Sequence, residues 1–246
     1  MKRWTIWIHM LLPILLLSAC SQSAKSTVDE PLAENEAAFT WWEERSHAFG
    51  SYEYTISDEA KAVSDLEDKF ALQLLPSFDS FRSLIKTDFL IDGVTQEPEE
   101  FSLYSSDSEL NFASLIKFKD QQGQFLSYGT VTVQYHYIER IKKVKLYSQR
   151  MEIYNATADN RYNGKDLTKT LTSIGEILKL KDLAQLLKEF SESTAAPEKL
   201  AGQDIVIYED YQKGKQNQLF GKSFGVTYNE NGILEKIYVV TYDYRI

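Results

Sequence analysis

Residues 110–137 read LNFASLIKFKDQQGQFLSYGTVTVQYHY. Leu110, Phe112, Ile116 and Phe118 stand on even positions with mostly polar residues between them, and Val131, Val133, Tyr135 and Tyr137 alternate in the same way. Successive side chains of a strand leave the backbone on opposite sides, so a period of two predicts strands with one buried face and one open face. Between the two runs lies Asp120-Gln121-Gln122-Gly123, where Gly123 can supply the positive φ of a short hairpin loop. The chain is therefore expected to fold back on itself as an antiparallel pair.

Downstream the alternation slips. Val144 and Leu146 are apolar on even positions, Met151 and Ile153 on odd ones, and a bulge between them accounts for the change of phase. Upstream, Ser57-Asp58-Glu59 opens a pattern in which Ala60, Val63, Leu66, Phe70 and Leu74 recur at helical spacing, with acids in the first turn and Pro76 as the stop. Ser77 to Lys86 suggests a second helix with Phe78, Phe81, Leu84 and Ile85 on one side.

Beyond the strands, Asn163-Gly164-Lys165-Asp166 introduces Leu167, Leu171, Ile174, Ile177 and Leu178, followed by Leu183, Leu186, Leu187 and Phe190. These are two short helices or one bent one. Strand patterns return over Ile205–Tyr208, Phe224–Tyr228 and Ile233–Tyr244, the last two joined by Asn229-Glu230-Asn231-Gly232, the clearest turn signal in the chain. Strands in hairpin order with helices before and between them predict an α+β domain, an antiparallel β-sheet with helices packed on one face. The other face is left to water or to a partner.

The N-terminus carries a different message. Lys2 and Arg3 precede an apolar run from Trp4 to Leu17, too short for a membrane span and interrupted by Pro13, which is the layout of an export signal. Leu17-Ser18-Ala19-Cys20 resembles the lipobox of bacterial lipoproteins. That resemblance implies cleavage after Ala19, diacylglycerylation of the Cys20 thiol with palmitate-like chains, and Cys20 as the mature N-terminus. Cys20 is the only cysteine in the 246 residues and has no intrachain partner for a disulfide.

Ser21 to Ala38 holds Ser, Ala, Glu and Lys with hardly a large apolar residue, the composition of a flexible tether. The expected organisation is a signal peptide over 1–19, a lipidated cysteine and tether over 20–38, and one exported domain over 39–246, held on the extracytoplasmic face of the cell membrane. Removing residues 1–19 takes away two cations and no acid, so the formal charge of −9 becomes −11. Such acidity disfavours nucleic acid and suits a basic partner.

Motifs for chemistry fail on context. Gly221-Lys222-Ser223-Phe224-Gly225 matches G-x-S-x-G, but a strand pattern follows where a helix is required, and His136 precedes Ser223. Gln216 stands where a phosphate loop needs glycine. His47 and His136 lack the ligand spacing of a zinc site, and His136 falls on the less apolar face of its strand. Asp159 to Gly164 begins like a calcium loop, yet Arg161 occupies a ligand position and Thr170 replaces the closing glutamate. No catalytic residue, metal or cofactor is expected.

Three surface features remain. Arg140-Ile141-Lys142-Lys143-Val144-Lys145 fits a solvated edge strand or an interaction patch. Asp92, Glu97, Glu99 and Glu100 crowd one predicted loop, and Glu209 and Asp210 flank Tyr208 and Tyr211; with 36 acids in the chain, solvated charge is the ordinary reading. Tyr238, Tyr242 and Tyr244 share one face of the last strand, and Tyr135 and Tyr137 belong to the apolar face of an earlier one, so each set fits a core or a contact surface.

Lipid anchor, size, acidity and an α+β sheet domain together resemble the TipC-type immunity lipoproteins, which protect bacteria from toxins acting at the outer face of the membrane. No diagnostic motif carries the likeness, so no partner-binding residue is transferred. The resemblance implies a lipoprotein, not an enzyme, that binds and neutralises an exported toxin-like protein. A ligand-binding or envelope-assembly lipoprotein is the alternative.

Overall fold

Residues 32–156 and 162–246 are described by a computed structural model. The export signal, the lipobox and Cys20 lie outside the described residues. In chain order the elements are a helical turn α1 (Glu34–Ala37), strands β1 (Trp42–Glu44) and β2 (Tyr52–Ile56), helix α2 (Glu59–Ser64), helix α3 (Pro76–Phe89), and strands β3 (Val94–Gln96), β4 (Glu100–Ser105), β5 (Glu109–Asp120), β6 (Phe125–Ile138) and β7 (Lys143–Asn155). Helices α4 (Leu167–Ile177) and α5 (Leu183–Ser193), strand β8 (Asp204–Glu209), helix α6 (Tyr211–Asn217), and strands β9 (Phe220–Tyr228) and β10 (Leu234–Asp243) complete the chain.

All ten strands join one antiparallel sheet, in the order β2-β4-β5-β6-β7-β10-β9-β8. The two short strands continue longer neighbours: β3 pairs with β5 beyond the end of β4, and β1 pairs with β7 beyond the end of β10. This is the α+β class expected from the alternating pattern. The hairpin between β5 and β6 turns at Gly123, with φ of +82°, while the Asp120 carboxylate accepts from the amides of Gln122 and Gln124. The β9–β10 hairpin is built alike, Asn229 accepting from the amides of Asn231 and Ile233 and Gly232 taking the positive φ.

Helices α3, α4 and α5 lie side by side on one face, α3 over β5, β6 and β7 and α5 against β8. Phe78, Phe81, Ile85 and Phe89 of α3 recur at helical spacing and are buried against Phe101, Phe112, Phe118 and Val131 of the sheet. Where the helix approaches nearest, β6 carries Gly129: a Cβ there would stand 2.8 Å from Ile85. Burying each such aromatic contributes about 1.5–3 kcal/mol, and this layer is the principal source of stability.

Several expectations are corrected. The helix predicted to run to Leu74 ends earlier: α2 gives way to a π-turn over Asp65–Lys69, and Ala71 takes φ of +50°. Leu66 and Phe70 remain buried while Ala60 is exposed, and Leu72, outside any helix, fills the core instead. Pro76 starts α3 rather than stopping α2, because a proline at the first helical position loses no intrahelical hydrogen bond.

The basic run at 140–145 is not an edge. Lys143 and Lys145 sit in β7, between β6 and β1, and Lys145 is buried. The stretch read as a tether is already packed before residue 39: Leu32 and Ala38 lie on the core, and the Asn35 carbonyl accepts from Lys222 Nζ at 2.8 Å.

Candidate functional site

In an antiparallel pair, residues opposite each other share a face. The register therefore divides every strand between a side covered by α3, α4 and α5 and a largely uncovered one, which the short α6 overlaps only at the start of β9, with Tyr211 over Gly221. One row of the uncovered side runs Lys117, Tyr128, Tyr154, Lys236, Thr227; the next runs Leu115, Thr130, Glu152, Tyr238, Gly225 and Val206. A third runs Ala113, Thr132, Arg150, Val240, Ser223 and Glu209. Residues of these rows on β5, β6, β7 and β10 are mostly half-buried by their neighbours in the sheet alone.

Two aromatic clusters occupy opposite ends of this face. At one end Tyr128 and Tyr154 stack at 4.7 Å between ring centres, and the Lys236 ammonium lies over both Tyr154 and Tyr238. At the other, Tyr147 stacks on His136 at 4.0 Å and meets Tyr242 and Tyr244 at 5.8 and 6.1 Å, with Tyr211 of α6 beyond Tyr242. The bulge expected between Leu146 and Met151 falls at Tyr147: Gln134 pairs with Ser148 and Tyr135 with Leu146, leaving Tyr147 as the extra residue. An insertion of one residue thus turns a tyrosine onto the uncovered side.

Between the clusters a shallow concavity of about 370 Å³ lies over β7, β10, β9 and β8. Its floor is low because β9 carries Gly225 and Ser223 there. A Cβ on Gly225 would come within 2.6 Å of the Tyr238 hydroxyl, so the glycine lets that ring lie flat across the strand. The rim holds Arg150, Lys236, Glu152, Asp204 and Glu209. Lys236 pairs with Glu152 at 3.6 Å, whereas Asp204 and Glu209 have no cationic partner among the described residues. Burial and the neighbouring Asp204 push the Tyr238 hydroxyl up to about 12, so it remains a neutral donor at any physiological pH.

The tyrosines singled out in the sequence separate cleanly. Tyr135 and Tyr137 are core, the former donating to the Gln73 carbonyl at 2.7 Å; Tyr238, Tyr242 and Tyr244 belong to the uncovered face. Tyr211, noted in the sequence only beside Glu209 and Asp210, joins them; Tyr128, Tyr147 and Tyr154 were not singled out, although the alternation through 128–137 and the phase slip after Leu146 placed all three. His136 lies on the uncovered face as expected, but stacked rather than free in solvent; burial lowers its pKa against the pull of Glu109 at 3.6 Å.

The acidic groups resolve differently. Glu99 is held by Arg82 at 2.6 Å and Lys86 at 2.5 Å, Glu100 by Lys117, and Glu97 by Lys119. Asp210 accepts from the Tyr208 hydroxyl at 2.7 Å and the Lys222 amide, which fixes the start of α6, a helix the sequence reading missed. Ser223 lies midway along β9 with no strand-to-helix turn. Lys222 beside it points into the core, donating to the carbonyls of Asn35 and Leu178, and burial pushes its ammonium down to about 8.

Among the described residues no group of three His, Cys, Asp or Glu side chains could hold a metal ion, and no helix is long and apolar enough to cross a membrane. No protein-family model, no curated protein and no solved structure matches the chain. The reading of function rests on the fold and on this face.

Proposed function

We propose that this chain is an exported lipoprotein, anchored through Cys20 at the outer face of the membrane, that binds and neutralises an exported protein through the uncovered side of its sheet. The observation that carries the reading is the composition of that side. Tyrosine rings at both ends surround a belt of Arg, Lys, Glu, Ser and Thr with only a shallow depression. Large aromatic area with polar tips is characteristic of protein contact surfaces, in which a few anchors carry most of the affinity. A small-ligand site would enclose most of its ligand, and this depression does not. The likeness to TipC-type immunity lipoproteins in anchor, acidity and architecture supports the same reading.

One part of the sequence expectation is refined. The concavity is not uniformly acidic: three carboxylates face two cations. The chain's negative charge therefore serves long-range attraction of a basic partner more than a single acidic patch.

Two experiments test the proposal. Cys20→Ser should move the protein from the membrane fraction to the soluble one and abolish incorporation of labelled palmitate; retention on the membrane would end the lipoprotein reading. Full-length protein in detergent should retain one exported protein from the culture fluid of the producing strain or its neighbours at moderate salt. Tyr242→Ala with Tyr147→Ala should lose it, and capture unchanged by that pair would place the contact elsewhere.

A further inference from the structure

The sheet has two lateral edges, and they differ. At the β2 edge the α2 segment folds back on the strand, with Phe70 against Tyr52 at 5.3 Å and Lys69 over Tyr54. At the β8 edge the strand pairs with β9 and, among the described residues, with no other strand. The Tyr228 amide donates to the Gln203 carbonyl and the Asp210 amide to the Lys222 carbonyl, which fixes the phase of the ladder on both sides of a bulge between Val206 and Tyr208. In that phase Ile205 and Tyr208 exchange hydrogen bonds with β9, while the backbone groups of Asp204, Val206 and Glu209 point outward.

The same three residues turn their side chains onto the uncovered face, where they line the concavity. Val206 is 45% exposed, and Asp204 and Glu209 flank it without a cationic partner among the described residues, Asp204 accepting from the hydroxyls of Tyr238 and, at 3.4 Å, Thr227. Outward backbone groups, an exposed apolar side chain and two carboxylates that no cation neutralises thus coincide on one short strand. We infer that an extended basic segment of the partner protein adds to the sheet as a strand alongside β8. Its Lys or Arg side chains then lie opposite Asp204 and Glu209, beside the rings of Tyr238 and Tyr211. Main-chain hydrogen bonds hold such a strand and alternate side chains select it, as in other strand-addition complexes. The inference deepens the proposed function, since it names how the partner of that face is gripped.

The test uses full-length protein in detergent and a short blocked peptide alternating Lys with Val, with a Glu-for-Lys counterpart as control. Amide exchange followed by mass spectrometry should slow across 204–209 with the Lys peptide and not with the Glu peptide. Asp204→Asn with Glu209→Gln should weaken binding about tenfold, the loss of about 1.4 kcal/mol expected for two cross-strand charge pairs. Val206→Pro removes an amide that faces outward, so it should leave the fold and the β9 pairing intact while abolishing protection. Thermal unfolding of each variant shows that the fold is kept.

If the Lys peptide gives no protection at 204–209, or Val206→Pro binds as well as the parent, the inference is overturned, and the two carboxylates are guards against edge pairing. The captured exported protein separates this from the broader reading. Loss of capture on Tyr242→Ala with Tyr147→Ala but not on Val206→Pro leaves the face and removes the edge; protection by the Lys peptide with no protein captured leaves the edge and removes the neutralising role.

Discussion

The two faces of this sheet are made by the same strands, one residue apart, and they are held by different physics. On the covered side Phe101, Phe112, Val131 and Met151 are closed off by α3, with exposures of 0–1%. On the other side Tyr128, Glu152, Arg150 and Tyr242 touch mainly their neighbours within the sheet. The first side is a core, in which every methylene counts toward stability. The second is a surface whose side chains can be exchanged at small cost to folding and, on the reading proposed here, at large cost to binding.

The comparison can be broken by mutation. The largest effect is expected for Phe81→Ala, which opens a cavity beneath α3 and should cost about 3–5 kcal/mol, read as a fall in the urea midpoint. Asp243→Asn comes next. Its carboxylate accepts from Thr40 at 2.6 Å and from the Arg245 guanidinium at 2.7 Å in a buried cluster that also holds Lys145, and removing one charge strands the others at a cost of about 3 kcal/mol.

The same group gives a pH test. Burial alone would raise the Asp243 pKa, but Arg245 and Lys145 override it and hold it below the ordinary 3.8; Glu99, under Arg82 and Lys86, is likewise below 4.5. A depressed folded pKa contributes stability above the unfolded value that is lost as pH falls through the folded one. Stability should therefore fall from about pH 4 downward, and Asp243→Asn should flatten that acid limb. An unchanged limb would mean that Asp243 is not the group being protonated.

Smaller still, Tyr242→Ala should cost less than about 1 kcal/mol in stability while weakening partner binding tenfold or more. Smallest of all, Glu97→Gln should change the midpoint by under about 0.5 kcal/mol, because its bridge to Lys119 is partly exposed. A Tyr242→Ala variant as unstable as Phe81→Ala would mean that the uncovered face is not a surface at all.

Much of this was legible in the sequence. Alternation over 110–118, broken at Ser114 and Leu115, and over 131–137, the turn residues at Gly123 and Gly232, and the phase slip beyond Leu146 gave the hairpins, the bulge and the class of fold, because a period of two leaves little freedom once one face is apolar. Short strands β1, β2 and β3 were not legible, since runs as brief as Trp42–Glu44 take their conformation from a neighbour and carry no period of their own. The α6 helix escaped because Gly214 lowers helix propensity; its place is set by contact with Phe220, which a Cβ at 214 would strike at 2.6 Å.

The candidate face was half legible. Tyr238, Tyr242 and Tyr244 were visible as a stripe, but joining them to Tyr128, Tyr147 and Tyr154 needs the order of strands, in which β10 lies beside β7 across the intervening helices. Lys222 had a signal that was passed over: it stands in the alternating row Phe220, Lys222, Phe224, Val226, and a cation in an apolar row is a buried one with partners to find.

One earlier contact bears on mechanics. Thr40 donates to Asp243 at 2.6 Å and accepts from Arg245, so the first and last parts of the described chain are clasped to each other across the middle of the sheet. Tension arriving through residue 32 meets first the α1 turn, tied to Lys222, and then that clasp before it reaches α2 or α3. It is then passed to β10 and β7, strands joined to neighbours on both sides. A load on the N-terminal end is thereby shared along the sheet, and the layer of helices and the tyrosine face keep their places while the protein is held from one end.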